Sequence, residues 1–143
     1  MEPTVIGIIY PLPGNLVKEI LHKNKSIFYK YLGRVPTKKT KERLTEGMYL
    51  FIYESGGSKK IVGIAEIEKI TYETADEIIS RYPNTMMGTK SHLKKYSKNR
   101  EEKKLQVLKL NNVEILKNPI IFNQHMSVSG RYMFADCYNS LKK

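Results

Sequence analysis

The sequence predicts an α+β domain: a mostly antiparallel barrel of five to six strands with helices at its periphery. Two observations carry this expectation. Short apolar runs alternate with turn signals along the whole chain, and amphipathic helical spacing is confined to about 14–23, 74–82 and 131–141. A third, the stretch from Thr45 to Thr71, reads as a central hairpin. Its first arm, Met48 to Tyr53, is almost continuously apolar, as in a strand covered on both faces. A polar break containing Gly57 follows, then a second arm in which Ile61, Gly63, Ala65 and Ile67 are expected to share one face and Val62, Ile64, Glu66 and Glu68 the other.

The remaining elements follow in order. Thr4 to Tyr10 is a β-branched run closed by Pro11 and Pro13, a buried first strand. Leu16, Val17, Ile20 and Leu21 form one apolar stripe of a short helix. Lys25 to Leu32 alternates as a second strand with lysines and tyrosines along it, and Gly33 to Glu46 is a polar, basic loop. Thr74-Ala75-Asp76-Glu77 fits a capping box, Ile78, Ile79 and Tyr82 supply the apolar face of the helix behind it, and Pro83 stops it.

Residues 84 to 104 are basic, with Leu93 as their one core residue, which reads as an exposed helix or insert. Leu105 to Leu110 is a strand, Asn111-Asn112 a turn or kink, and Val113 to Leu116 a continuation. Met133, Cys137 and Leu141 recur every four residues in a closing helix. Without an internal repeat or a composition break, residues 1–143 read as one domain.

Charge is the most informative global property. The chain has 25 Lys and Arg against 14 Asp and Glu, a formal net charge of +11. A thermophilic ion-pair surface would raise Glu alongside Lys, so the excess favours an acidic partner, and nucleic acid above all. Apolar runs are too short to span a bilayer and the start lacks the basic residues of a signal peptide, so a cytoplasmic protein is expected, with no membrane partner. One cysteine, Cys137, and three histidines without ligand spacing, His22, His92 and His125, predict neither a metal site nor any other cofactor. There is no Walker loop and no Gly-x-Gly-x-x-Gly.

Three segments carry a resemblance. Ile20 to Lys30 looks like the helix end, turn and lysine-bearing strand of the PUA-like β-barrel proteins, specifically their ASCH branch and a small archaeal offshoot. Gly47 to Tyr53 with Ile61 to Ile67 resembles the glycine-then-hairpin signature. Asn118-Pro119-Ile120 followed by Ser129-Gly130-Arg131-Tyr132 resembles the late motif.

The resemblance implies an RNA-binding module, reading tRNA, rRNA or a modified nucleotide in a cleft beside the barrel. That cleft would lie near Lys25, Ser26, Tyr29 and Lys30, bounded by Tyr53, Glu54 and Ser55. The basic loop would flank it with Arg34, Lys38, Lys39, Lys41 and Arg43, and the second basic segment with Lys90, Lys94, Lys95 and Arg100; Arg131 completes the set. Ammonium and guanidinium groups suit phosphates, and tyrosine faces suit unpaired bases. For each tyrosine alone, core packing is the simpler role.

Two other readings stand beside RNA binding. Some ASCH-like proteins are amidohydrolases of acetylated cytidine, which would enlist Lys25, Ser26 and Glu66. The position where those enzymes need a threonine holds Phe28, however, and a phenyl ring carries no proton. Binding therefore ranks above catalysis. A ribosome-associated scaffold whose lysines contact rRNA nonspecifically is the third reading.

Overall fold

The structure is a computed structural model and describes residues 4–31, 44–56, 59–122 and 130–141. Its elements are β1 (Val5–Leu12), α1 (Gly14–His22), β2 (Ile27–Lys30), β3 (Tyr49–Glu54), β4 (Lys60–Glu73), α2 (Ala75–Arg81), α3 (Lys90–Tyr96), β5 (Leu105–Ile121), β6 (Arg131–Phe134) and α4 (Ala135–Leu141). The six strands form one sheet in the order β2-β5-β4-β3-β1-β6. All neighbours are antiparallel except β1 and β3. Among the described residues β2 and β6 do not pair, so the expected α+β fold is present as an open sheet rather than a closed barrel.

The middle of the sheet is covered on both sides, which explains the continuous apolar run of β3. Leu50 and Ile52 join a large core with Ile8, Leu12, Ala65 and Ile67, and α1 lays Leu16, Val17 and Ile20 on it. Phe51 and Tyr53 join a smaller one with Ile9, Ile61, Phe122 and Met133. In a pleated strand successive side chains alternate faces, so both parities of β3 must be apolar.

A bulge changes the expected pattern of β4. Ile52 pairs with Gly63 but Tyr53 with Ile61, leaving Val62 unopposed. Ile61 is thereby turned into the smaller core while Ala65 and Ile67 stay in the larger one, so these residues do not share one face along the whole arm. Gly63 lets α1 sit close to the sheet: a Cβ there would lie 2.6 Å from a Leu21 methyl, which would have to swing aside.

Three other expectations are corrected, and one pair of alternatives is decided. β1 continues through Pro11 to Leu12, which the sheet tolerates because β6 pairs with β1 only as far as Ile9 and no amide is needed beyond it. β2 spans four residues, all buried, rather than the longer strand read from its alternation. Of the turn or kink expected at Asn111-Asn112 the structure has the kink: β5 runs on through bulges, with Asn112 at φ 48. The closing helix begins at Ala135, because Arg131 to Phe134 pairs with β1 as β6.

The segment after α2 also holds more core than Leu93. Met86, Met87 and Ser97 are buried as well, so this basic stretch is anchored to the domain. Where local signals were complete the expectation holds. Thr74 Oγ1 accepts from Glu77 N–H and the Glu77 carboxylate from Thr74 N–H, the full capping box. Next to it, the buried carboxylate of Glu73 accepts from Arg81, Thr71 and Tyr82, which ties α2 to the end of β4.

Candidate functional site

A tyrosine-walled cavity opens at the end of β1. About 220 Å³ in volume, it is lined by Tyr10 to Pro13 of β1 and its exit, Leu16 of α1, Tyr29 of β2, Met87, and His92 and Tyr96 of α3. Each wall is held by its own contact. Tyr29 Oη donates to the Met87 carbonyl at 2.9 Å, and Gly88 N–H donates to Glu19 at 3.1 Å, so α1 and β2 together fix the turn that precedes α3. Tyr10 packs against the edge of Phe28, with ring centroids 5.0 Å apart. The ammonium of Lys30 lies 4.9 Å from the Tyr10 ring centroid, a cation on an aromatic face.

Burial decides the chemistry of these phenols. It pushes Tyr10 up to about 12, with Tyr96 adding to the effect. Tyr29 is pushed higher still by burial, with Glu19 and then Tyr96 contributing. Both remain neutral hydroxyls at physiological pH, able to donate a hydrogen bond but not to act as phenolate bases.

Beside the cavity stands a cationic rim built on aromatic rings. The guanidinium of Arg100 lies 4.0 Å from the Tyr31 centroid and 4.8 Å from that of Tyr96, and donates to the Tyr96 carbonyl at 2.8 and 3.1 Å. Lys103 approaches the Tyr31 ring at 5.7 Å. Tyr31 closes the arrangement: its N–H donates to Tyr96 Oη and its hydroxyl to the Arg100 carbonyl, both at 3.2 Å. Lys90, Lys94 and Lys95 of α3 are exposed.

The sixteen residues expected at the site divide into groups. Tyr29 lines the cavity, Lys30 lies over the Tyr10 ring and Arg100 stands on the rim, while Lys90, Lys94 and Lys95 share only α3 with its lining residues; Tyr29 and Lys30 are only 2 % and 3 % exposed. Lys30 is thus enclosed, and does not lie on an open basic strand. Lys25 and Ser26 lie at the opposite end of β2. The Lys25 ammonium donates to the Asn84 carbonyl, and Ser26 lines a different cavity with Asn24, Asn111 and Asn112.

Tyr53 packs edge-on against Phe122 in the smaller core, and half-buried Arg131 stands over the same ring. Ser55 is tied by its N–H to the Leu12 carbonyl. Arg34, Lys38, Lys39, Lys41 and Arg43 lie outside the described residues. Of the alternative catalytic set, Glu66 accepts from Asn112 and Lys25 is engaged with Asn84, so the two do not bond each other. Phe28 is fully buried.

Sequence reasoning missed Tyr10 and His92 as lining residues. Tyr10 ends an apolar run that reads as core, and only its place before Pro11 hinted at a strand mouth. Among the described residues no group of His, Cys, Asp or Glu could hold a metal, and no helix is long and apolar enough to cross a membrane.

Comparison with solved structures shows that the fold is the PUA-like one of the ASCH type. The ASCH protein of Zymomonas mobilis is similar over 96 % of this chain and 94 % of its own, with a TM-score of 0.78 at 17 % identity. A mutant of that protein superposes over 99 % of this chain and 97 % of its own, with a TM-score of 0.80 at 16 % identity. Comparison with curated proteins finds no match. The chain belongs to the family of the domain of unknown function DUF365, whose model matches residues 5–135.

Proposed function

We propose that the domain binds RNA, taking one unpaired base in the tyrosine cavity and the adjoining phosphates on the rim. The observation that carries this reading is the juxtaposition of the two: a 220 Å³ cavity walled by Tyr10, Tyr29 and Tyr96 next to Arg100 and Lys103 stacked on Tyr31. The cavity is below the ~300–1,000 Å³ of sites for drug-sized ligands and suits a single planar ring. The Tyr10 and Tyr29 hydroxyls are neutral, so the cavity favours an uncharged base over a phosphate, which the cations outside it suit better. A net charge of +11 raises the local concentration of a polyanion. Such a role is carried out in the cytoplasm, on tRNA, rRNA or a modified nucleotide.

The test is titration of a fluorescent single-stranded RNA with wild type, Tyr96→Ala and Arg100→Ala. Loss of the stacking face in Tyr96→Ala should cost ~1–3 kcal/mol, a drop in affinity of about five- to 150-fold. Undetectable binding by wild type at low salt overturns the function. Unchanged affinity in both variants overturns the location.

A further inference from the structure

The sheet face that carries the smaller core holds a recess that shares no lining residue with the tyrosine cavity. Directly opposed residues of antiparallel strands share a face, so the register sets Phe51, Ile64 and Glu114 in one row across β3, β4 and β5, with Tyr49 and Glu66 in the next. The change along β4 from apolar Ile64 to acidic Glu66 falls at this place. α4 adds Tyr138, whose ring centroid lies 5.2 Å from that of Phe51, and the Tyr49 ring stands 6.4 Å from Phe51. These three rings, with Ile6, Ile64 and Glu114, line a recess of about 260 Å³.

We infer that this recess binds a small alkylammonium ion, a monocation with an apolar chain. The faces of aromatic rings carry negative charge and attract cations, most of all those whose alkyl groups make them cheap to desolvate. Among the described residues the Glu114 carboxylate has neither an ion-pair nor a hydrogen-bond partner, and that of Glu66 bonds the uncharged Asn112 amide. An ammonium beside the rings meets Glu114 directly. A neutral apolar ligand would instead cover that charge without pairing it, which is costly.

The neighbouring groove sets the rest of the ligand. About 580 Å³ in volume, it shares Glu114 and Tyr138 with the recess and continues past Leu116, Ile120 and Leu141, apolar surface for a chain attached to the ammonium. Lys117 lines the groove but not the recess, so a second positive charge on the ligand meets a like charge there. That favours a monocation over a polyamine. The carboxylates likewise turn phosphates away, which separates this face from the cationic rim.

The experiment is an NMR titration of the whole chain with tetramethylammonium, its uncharged analogue neopentyl alcohol, hexyltrimethylammonium and spermidine. Amide shifts should move at Tyr49, Phe51, Ile64, Glu114 and Tyr138. Tetramethylammonium should bind about tenfold more tightly than neopentyl alcohol, and the hexyl chain should add about tenfold more by burying methylenes in the groove. Glu114→Gln should remove most of the preference for the cation while leaving the alcohol unaffected. Tyr49→Leu, which keeps an apolar side chain without a ring, should weaken the cation about fivefold. Glu114 is exposed and Tyr49 is 42 % exposed, so neither change empties the core. Equal binding of the alcohol, tighter binding of spermidine, or shifts at Tyr10, Tyr29 and Tyr96 instead overturns the inference. So does an unchanged preference in Glu114→Gln. RNA affinity should be the same in that variant as in wild type, and a loss would overturn the separation of the two sites.

Discussion

Gly88 shapes the tyrosine cavity by what it lacks. At φ +73 it adopts a turn that side chains disfavour, and a Cβ there would lie 3.1 Å from the His92 ring and 3.3 Å from Tyr29 Oη. The residues it separates were legible unequally. Tyr29 stood out as an aromatic on a lysine-bearing strand, but that its hydroxyl is spent on Met87 depends on a turn fifty-eight positions away. The phenols give a pH test. Tyr10 is pushed from 10.0 to about 12 in the folded protein, so the unfolded chain releases this proton first. The resulting stabilisation is complete below pH 10 and is lost as pH rises towards 12. Thermal melting across that window should show the loss, and Tyr10→Phe, which has no proton to release, should make the decline shallower.

At the scale of elements, local signals were read well and pairings were not. The capping box before α2 is complete because Thr74 and Glu77 are three residues apart and need nothing else. Thr74→Ala should therefore lower stability by about 1 kcal/mol, measured by denaturant unfolding, with little effect on RNA affinity. β5 is the opposite case. Asn111-Asn112 reads locally as either a turn or a kink, and it is a kink because β4 supplies partners on both sides of the irregularity, Ile64 with Glu114 and Glu66 with Asn111. Likewise the periodicity around Met133 and Cys137 suits a helix, but β1 recruits Arg131 to Phe134 as an edge strand. A neighbouring strand offers backbone hydrogen bonds that outweigh a modest local preference.

For the whole molecule the charge excess has a measurable consequence. If four to six phosphates are neutralised, at about −0.7 per phosphate for single strands, log affinity against log salt should fall with a slope of roughly −3 to −4. Arg100→Ala combined with Lys103→Ala should make it shallower, and a flat dependence would show that the basic surface takes no part. The sequence by itself determined the α+β class, the central hairpin, the positions of α1 and α2 and the net charge, because periodicity, capping and composition act over a few residues or over none in particular. Only the tertiary structure decided that β1 and β3 run parallel, and that a bulge sends Ile61 away from Ala65. It also decided that Tyr10, Tyr29 and Tyr96, far apart in the chain, wall one cavity while Tyr53 packs elsewhere. These depend on contacts between distant segments, whose register is settled by which faces can be buried together.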